Sequence, residues 1–287
     1  MNIIDTITAF SQALDAERRA GRTVGLVPTM GALHEGHASL VERAAAECDV
    51  VAVTVFVNPL QFGAGEDLDA YPRTLDADVK LAEQAGASIV FAPTVAEMYG
   101  AGTWTTVSVA GEMTGVLEGA SRPGHFDGVA TVVAKLFAMA GRCRAYFGEK
   151  DFQQLAVVRR MAADLSFPIE IVACPTVRAD DGLALSSRNA YLGADERAAA
   201  PVLRRALLAG VDAALAGADP EPVMAAVLAT EPLVQPDYAV VVDAATLQRP
   251  APLAGDLRLL VAARLPSARL IDNEGVTVAD GMHRKDT

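Results

Sequence analysis

Two of the four histidines stand close together in the segment PTMGALHEGH at 28–37. His34 and His37 are three residues apart, so on a helix they share one face of the first turn. Gly31 and Gly36 permit a close approach of the backbone to a ligand. Because the start of a helix favours anions, the segment predicts a phosphate site. A metal-binding pair and two surface histidines are the alternatives.

A second group of polar residues lies in YFGEKDFQQL at 146–155. It follows a short predicted strand and leads into a predicted helix, and ligands bind at such junctions in doubly wound folds. Lys150 can supply a point charge for a phosphate. As an alternative, Asp151 and Gln154 fit the pattern of a helix capping box.

Hydroxyl and guanidinium groups concentrate in a predicted loop within the segment 175–189. Ser186, Ser187 and Arg188 together are suited to holding a polyphosphate, although a plain turn explains them too. The segment RPGHF at 122–126 adds a further cation and imidazole beside a glycine.

Two more polar residues follow or precede predicted elements. Gln61 comes after the most apolar strand and offers an amide for a hydroxyl or a carboxylate. Asp78 stands at the start of a predicted helix, where it could help to hold Mg²⁺, although a solvated acid is the commoner role of such a residue.

The elements that must position these residues alternate along the first 175 residues. Strands and helices of parallel-sheet length predict an α/β fold with a Rossmann-like, doubly wound parallel sheet. After Val177 the spacing by four of Leu203, Leu207, Val211 and Leu215 predicts an amphipathic helix. With a short helix from about Val223 to Thr230 and two later strands, it predicts a smaller C-terminal α+β domain. Trp104 to Val109 alternates loosely, and the charged tail after Gly281 is expected to fray.

Composition excludes several classes of protein. Of 287 residues, 52% are hydrophobic and 21% charged, which is enough apolar material for a sizeable core. The net charge of −12 makes nucleic acid and anionic membranes poor partners. Cys48, Cys143 and Cys174 are too far apart for a zinc site or a disulfide framework, so we expect buried thiols. With neither a signal-peptide pattern at the start nor an apolar run of spanning length, a cytoplasmic protein is expected.

The motifs together resemble the pantoate–β-alanine ligase (pantothenate synthetase) family, in its order and at its spacing over the whole chain. The matching segments are PTMGALHEGH, FVNPLQF, YPRT, RPGHFDGV, FGEKDFQQL and PTVR…DGLALSSRN. This family belongs to the nucleotidyl-transferring folds with an H-x-G-H signature, which are related to class I aminoacyl-tRNA synthetases. Here that signature is His34 to His37, and the accompanying loop is Leu185 to Arg188.

The resemblance implies that the chain joins (R)-pantoate to β-alanine, with ATP, as Mg²⁺ complex, going to AMP and pyrophosphate. It implies a homodimer, with residues 1–176 binding ATP and pantoate and residues 177–287 closing over the active site. Pantoate would contact Gln61 and Gln154, with Gln61 also near β-alanine, and His37 would be the proton donor. His34, His37, Lys150, Ser186, Ser187 and Arg188 are the expected catalytic donors. The expected ATP contacts are Met30, Gly31, Ala32, Leu33, His34, Glu35, Gly36, His37, Gly148, Glu149, Lys150, Asp151, Val177, Leu185, Ser186, Ser187 and Arg188.

This chain departs from the family pattern at two positions. Leu185 stands where relatives often have Met, a swap that conserves volume. Ala77 stands beside Asp78 where relatives often have two acids, which weakens the expectation that a carboxylate contacts Mg²⁺. Three other functions compete with the ligase: an adenylyltransferase that stops after nucleotide transfer, a non-catalytic nucleotide-binding protein, and a metal hydrolase using His34 and His37.

Overall fold

The computed structural model describes residues 1–63, 65–66, 68–102 and 105–279. The chain divides into two compact units, Met1–Thr176 and Val177–Thr287. Separate clusters of buried apolar side chains form their cores. Trp104 and the tail after Gly281 lie outside the described residues.

The first unit is built on a six-stranded parallel sheet, which confirms the predicted fold class. Its strands stand in the order β1–β4–β3–β2–β5–β6. They are β1 (Asn2–Ile4), β2 (Val24–Thr29), β3 (Val50–Val55), β4 (Ile89–Phe91), β5 (Cys143–Gly148) and β6 (Ile169–Cys174).

Helices cover both faces of this sheet. They are α1 (Ile7–Arg19), α2 (Glu35–Glu47), α3 (Leu75–Gln84), α4 (Val95–Tyr99), α5 (Glu118–Ser121), α6 (His125–Ala140) and α7 (Phe152–Asp164). Helices α2 and α3 pack on one face, and α1, α6 and α7 pack on the other. Along β3, Val50 and Ala52 join one apolar cluster while Val51 and Val53 join the opposite one. Burial on both faces explains why this strand is a continuous apolar run.

The order of the strands reverses at β2. From β2 the chain adds β3 and then β4 on one side, and it later adds β5 and β6 on the other side. The connections that leave β2 and β5 therefore lead to helices on opposite faces, α2 and α7. In doubly wound folds such a reversal opens a crevice at the carboxyl ends of the strands, where ligands bind.

The second unit contains a three-stranded antiparallel sheet, which confirms the smaller α+β domain. Its strands are β7 (Gln235–Asp243), β8 (Gly255–Arg264) and β9 (Arg269–Val278). The helices are α8 (Ala194–Ala199), α9 (Val202–Leu215) and α10 (Pro220–Leu228), and a 3₁₀ turn spans Ser187–Tyr191. Leu203 and Leu207 of α9 are buried against side chains of the sheet.

Six of the described helices and strands are absent from the sequence-based prediction. They are β1, α1, α4, α5, α8 and β9. The predicted strands and helices of the remaining parallel sheet are present, with ends that shift by one to three residues. In the second unit, the short helix expected from about Val223 to Thr230 spans Pro220–Leu228.

Candidate active site

The H-x-G-H segment lies at the point where the strand order reverses. It connects the carboxyl end of β2 to α2, and His34 caps that helix. Nδ1 of His34 accepts a hydrogen bond from the backbone N–H of Gly36 at 3.1 Å. Nδ1 of His37 in turn accepts one from the backbone N–H of His34 at 3.3 Å. The two rings lie 4.2 Å apart between their centroids.

These two hydrogen bonds determine the tautomer of both histidines. A ring nitrogen that accepts from an N–H group carries no proton, so in the neutral ring the proton sits on the other nitrogen. Nε2–H is therefore the donor that each ring offers to a ligand. The backbone N–H groups of His34 and Gly36 are paired inside the turn, so at this helix start the imidazoles are better placed than those two amides to donate to a ligand.

The surroundings of both rings favour the neutral form. The pKa of His37 is lowered to about 3, mainly by burial and in smaller part by the adjoining His34 and the Lys150 ammonium. Burial also lowers the pKa of His34, with the charge of Lys150 as the second cause. Asp151 acts in the opposite direction on both rings. The structure thus brings the predicted ammonium and both predicted imidazoles into one electrostatic environment.

Lys150 and Asp151 lie in a 3₁₀ turn, Glu149–Asp151, between β5 and α7. The Lys150 ammonium is 3.5 Å from a carboxylate oxygen of Asp151. Asp151 occupies the N-cap position of α7 but makes no capping hydrogen bond with its side chain. The capping-box interpretation of Asp151 and Gln154 is therefore wrong, and Gln154, partly buried in the first turn of α7, has no capping role.

Gln61 is positioned by a network of neutral hydrogen bonds in the 3₁₀ turn Pro59–Gln61, after β3. The Asn58 amide donates to the Gln61 side-chain oxygen at 3.0 Å and to the Gly128 carbonyl at 3.1 Å. The Tyr99 hydroxyl donates to the Asn58 side-chain oxygen at 2.7 Å. Because the Gln61 oxygen is already engaged, its NH₂ group is the end that can bind a ligand.

Helix α6 touches this turn without an intervening side chain. A Cβ atom at Gly128 would lie 2.0 Å from the Leu60 carbonyl oxygen. Only a residue without a side chain lets the backbone of α6 approach the turn this closely.

Side chains of the RPGH segment hold the backbone of the same turn. Nδ1 of His125 lies 2.8 Å from the Gln61 carbonyl oxygen, and Arg122 donates to that oxygen at 3.2 Å. Arg122 also forms a two-point ion pair with Glu66, at 2.8 and 2.6 Å. Burial lowers the pKa of His125, and the Arg122 charge adds to the effect. In this structure the fourth cluster predicted from the sequence therefore orients Gln61.

Asp78 lies in the first turn of α3 and is buried, with 2% of its surface exposed. Its two oxygens accept hydrogen bonds from the backbone N–H groups of Ala32 at 3.1 Å and Leu33 at 2.8 Å. The Thr74 hydroxyl donates to it at 3.2 Å. This arrangement argues against both earlier interpretations of Asp78, as a Mg²⁺ ligand and as a solvated acid. It also means that Ala32 and Leu33 cannot offer their N–H groups to ATP.

Gln153 is a residue of this region that sequence reasoning missed. Its side chain is buried and donates to the carbonyls of Met113 at 2.8 Å and Val116 at 2.9 Å. It accepts from the N–H of Glu118 at 2.9 Å. The neighbouring Gln154 is partly buried and shares the residue type and the helix turn, so the sequence contains no signal that separates the two glutamines.

The remaining predicted site residues belong to the second unit. Ser186 accepts a hydrogen bond from the N–H of Arg188 at 3.3 Å and starts the turn that contains Ser187. Leu185 donates its N–H to the Val177 carbonyl at 3.0 Å. Arg178 anchors this loop, because its guanidinium pairs at 2.6 and 2.9 Å with the buried carboxylate of Asp272 and donates to the Gly182 carbonyl at 3.1 Å.

Two further features bear on the class of the protein. Within the described ranges, no group of three or more His, Cys, Asp or Glu side chains is arranged to hold a metal ion. No described helix combines the length and the apolar character that crossing a membrane requires. The first result leaves a metal hydrolase based on His34 and His37 without a third ligand.

The fold and the site define a class of nucleotide-binding α/β protein. A parallel doubly wound sheet presents paired neutral imidazoles and an ammonium at its switch point, where doubly wound folds bind phosphate-containing ligands. The chain belongs to the pantoate–β-alanine ligase family, whose model matches residues 2–275.

Curated relatives match this chain in sequence over nearly their whole length. A pantothenate synthetase of Rubrobacter xylanophilus is 56% identical over 268 residues, covering 89% of this chain and 92% of its own. A pantothenate synthetase of Thermus thermophilus is 51% identical over 276 residues, covering 95% and 98%.

Solved structures agree as well. The Thermus thermophilus pantothenate synthetase superposes with a TM-score of 0.91 at 50% identity, covering 96% of this chain and 99% of its own. A pantoate–β-alanine ligase from Francisella tularensis, complexed with β-γ ATP and β-alanine, superposes with a TM-score of 0.79 at 32% identity. It covers 96% of this chain and 97% of its own.

Proposed function

We propose that this chain condenses (R)-pantoate with β-alanine at the expense of ATP and yields pantothenate, AMP and pyrophosphate. Its membership of the pantoate–β-alanine ligase family over residues 2–275 carries this proposal. The paired Nε2–H donors of His34 and His37, beside Lys150, support it because they suit an anionic phosphate better than a metal ion.

The first step forms an activated acid. A carboxylate oxygen of pantoate attacks the α-phosphorus of ATP, the bond from that phosphorus to the bridging oxygen breaks, and pyrophosphate leaves. Negative charge grows on the phosphate oxygens, so positioned donors carry most of the catalysis. His34, His37 and Lys150 are the donors that we assign to these oxygens. His37 donates from Nε2.

The second step consumes the pantoyl adenylate. The amine of β-alanine attacks the carbonyl carbon of the mixed anhydride, AMP departs with the bonding electrons, and the amine loses a proton. This route needs no protein nucleophile. Gln61, through its NH₂ group, and Gln154 are the proposed contacts to pantoate, with Gln61 also near β-alanine.

The second unit completes the proposed site. We assign Ser186, Ser187 and Arg188 to the phosphates, with Val177 and Leu185 as further ATP contacts. Residues 1–176 are then the domain for ATP and pantoate, and residues 177–287 the domain that closes over them. A shielded anhydride requires such a closure, because water would otherwise hydrolyse it.

Mg²⁺ fits this chain as a companion of ATP and not as an ion held in a protein cage. Both Asp78 oxygens already accept hydrogen bonds from backbone N–H groups, and the described residues form no ligand cluster. Mg²⁺ commonly keeps several waters and binds through substrate phosphates, where it offsets their charge. We also propose a homodimer in the cytoplasm, in line with the family resemblance. Sedimentation equilibrium tests the dimer.

The test of the function is a set of incubations of purified protein with ATP, Mg²⁺, pantoate and β-alanine, each omitted in turn. We expect pyrophosphate whenever ATP and pantoate are both present, and free AMP at the full rate only when β-alanine is added. AMP released at the full rate without an amine identifies an adenylyl-transferring or hydrolytic enzyme instead. ATP binding without any pyrophosphate identifies a non-catalytic nucleotide-binding protein.

A further inference from the structure

The loop between β2 and α2 encloses a carboxylate of the protein itself. Gly31 and Ala32 have positive φ angles of 86° and 51°. Backbone N–H groups that follow such residues converge to form a concave site for an anion. Here the anion is Asp78, which accepts hydrogen bonds from Ala32 and Leu33.

We propose that Asp78 is a positioning residue, which holds this loop in the shape that presents His34 and His37 to the nucleotide, and that it does not bind Mg²⁺. The inference rests on the proposed function for the identity of the nucleotide. In this role the Asp78 carboxylate does not touch the substrate. It contributes to phosphate recognition by fixing the backbone of Ala32 and Leu33.

The conformation of the loop requires support from outside. A left-handed conformation costs an alanine about 1 kcal/mol. Position 31 must stay glycine, because a Cβ there would lie 3.0 Å from an Asp78 oxygen and 3.1 Å from Val55. The three hydrogen bonds to Asp78 offset the conformational cost of the loop. Two of them come from Ala32 and Leu33, directly before His34.

Geometry separates this role from metal binding. A Mg²⁺ ligand must point a lone pair at an open octahedral position. The Asp78 carboxylate is 2% exposed, and both of its oxygens already accept hydrogen bonds from the protein. The Ala32 and Leu33 N–H groups that it occupies are also closed to phosphate, so within this loop phosphate recognition falls to the two imidazoles.

The experiment compares Asp78→Asn with Asp76→Asn, the same substitution at an exposed acid of the same helix. In Asp78→Asn the new NH₂ group faces one of the two backbone N–H donors, so one hydrogen bond of the loop is lost. AMP binding is measured by calorimetry in EDTA, where no divalent metal contributes. We expect Asp78→Asn to weaken AMP about tenfold and Asp76→Asn to leave it within about twofold.

Kinetics provide the second measurement. Asp78→Asn should raise the KM for ATP and lower kcat for pyrophosphate release, while the KM for pantoate and the Mg²⁺ concentration for half-maximal activity stay at wild-type values. Unchanged AMP binding in EDTA, or recovery of Asp78→Asn activity in excess Mg²⁺, overturns the proposal.

If Asp78→Asn does not fold, Thr74→Val decides, because it removes only the hydroxyl that donates to Asp78. We expect it to weaken AMP in EDTA about threefold, and wild-type affinity contradicts the proposal. A wild-type protein that binds AMP but releases no pyrophosphate with ATP and pantoate refutes the proposed function alone. In that case the comparison of AMP affinities still tests the role of Asp78.

Discussion

His34 gives its backbone N–H to Nδ1 of His37, with 3.3 Å between the nitrogens. This bond holds the second imidazole as a neutral ring whose proton is on Nε2. If Nδ1 of His37 were protonated, it would become a donor that faces the His34 backbone N–H, and the hydrogen bond would be lost. The low pKa of His37 and its orientation therefore have the same structural basis, a ring buried against the start of α2.

Acid should destabilise the protein through His37. Its pKa in the fold is about 3, against 6.5 for an ordinary histidine. Between these values the unfolded chain binds a proton that the fold does not, so stability falls as the pH falls. Urea unfolding from about pH 7 to pH 5 should show a shallower loss in His37→Asn than in the wild type. Identical slopes contradict this role.

Lys150 should matter for the formation of the adenylate. Lys150→Ala removes a cation from the transition state and should slow pyrophosphate release at least about tenfold in single turnovers with ATP and pantoate. Lys80→Ala, at an exposed lysine of α3, is the control and should keep the wild-type rate. An unchanged rate in Lys150→Ala removes this residue from the mechanism.

Substitutions of the two neighbouring glutamines of α7 should have different effects, with Gln154 affecting pantoate binding and Gln153 affecting the stability of the fold. Gln154→Ala should raise the KM for pantoate far more than the KM for ATP, because its amide is assigned to the acid. Gln153→Ala leaves two carbonyls and one N–H without their partner and should cost about 1–3 kcal/mol of stability. Steady-state kinetics and urea unfolding of both variants give the comparison. Equal losses for both substrates in Gln154→Ala contradict the assignment.

Asp272 should be a main support of the second unit. Asp272→Ala removes the two-point partner of the largely buried Arg178 guanidinium, leaves it Glu274 at 3.8 Å, and should cost about 3 kcal/mol. Asp237→Ala, which breaks a more exposed pair with Arg264 and Arg269, should cost at most about 1 kcal/mol. Urea unfolding followed by circular dichroism measures both. Similar losses in the two variants contradict the distinction.

The sequence predicted the parallel sheet because burial on both faces leaves a direct pattern, as in Val50 to Val55. It did not predict β9, whose centre contains Asp272 and Asn273. Both side chains are buried and paired with arginines that lie 94 and 15 residues away in the chain. A strand whose polar residues are satisfied by distant partners has no alternating pattern to detect.

In the site, too, local features could be predicted from the sequence and long-range contacts could not. Paired histidines, Lys150 and Gln61 could be found from residue type and from their place after strands. The role of Asp78 could not, because it depends on a contact across 46 residues with the Ala32 N–H group. The buried face of helix α9 was also predicted only in part. Because a helix has 3.6 residues per turn, residues spaced by four shift gradually around its surface. Leu203 and Leu207 are therefore buried, whereas Leu215 is 51% exposed.

Gly128 restricts how this enzyme could be engineered for other acids. The turn that bears Gln61 rests directly on the helix backbone at this position, where even a methyl group would meet the Leu60 carbonyl at 2.0 Å. A library that varied residue 128 would displace the Gln61 amide that we assign to the acid. Attempts to accept bulkier or smaller hydroxy acids must therefore leave this helix contact intact and vary other positions.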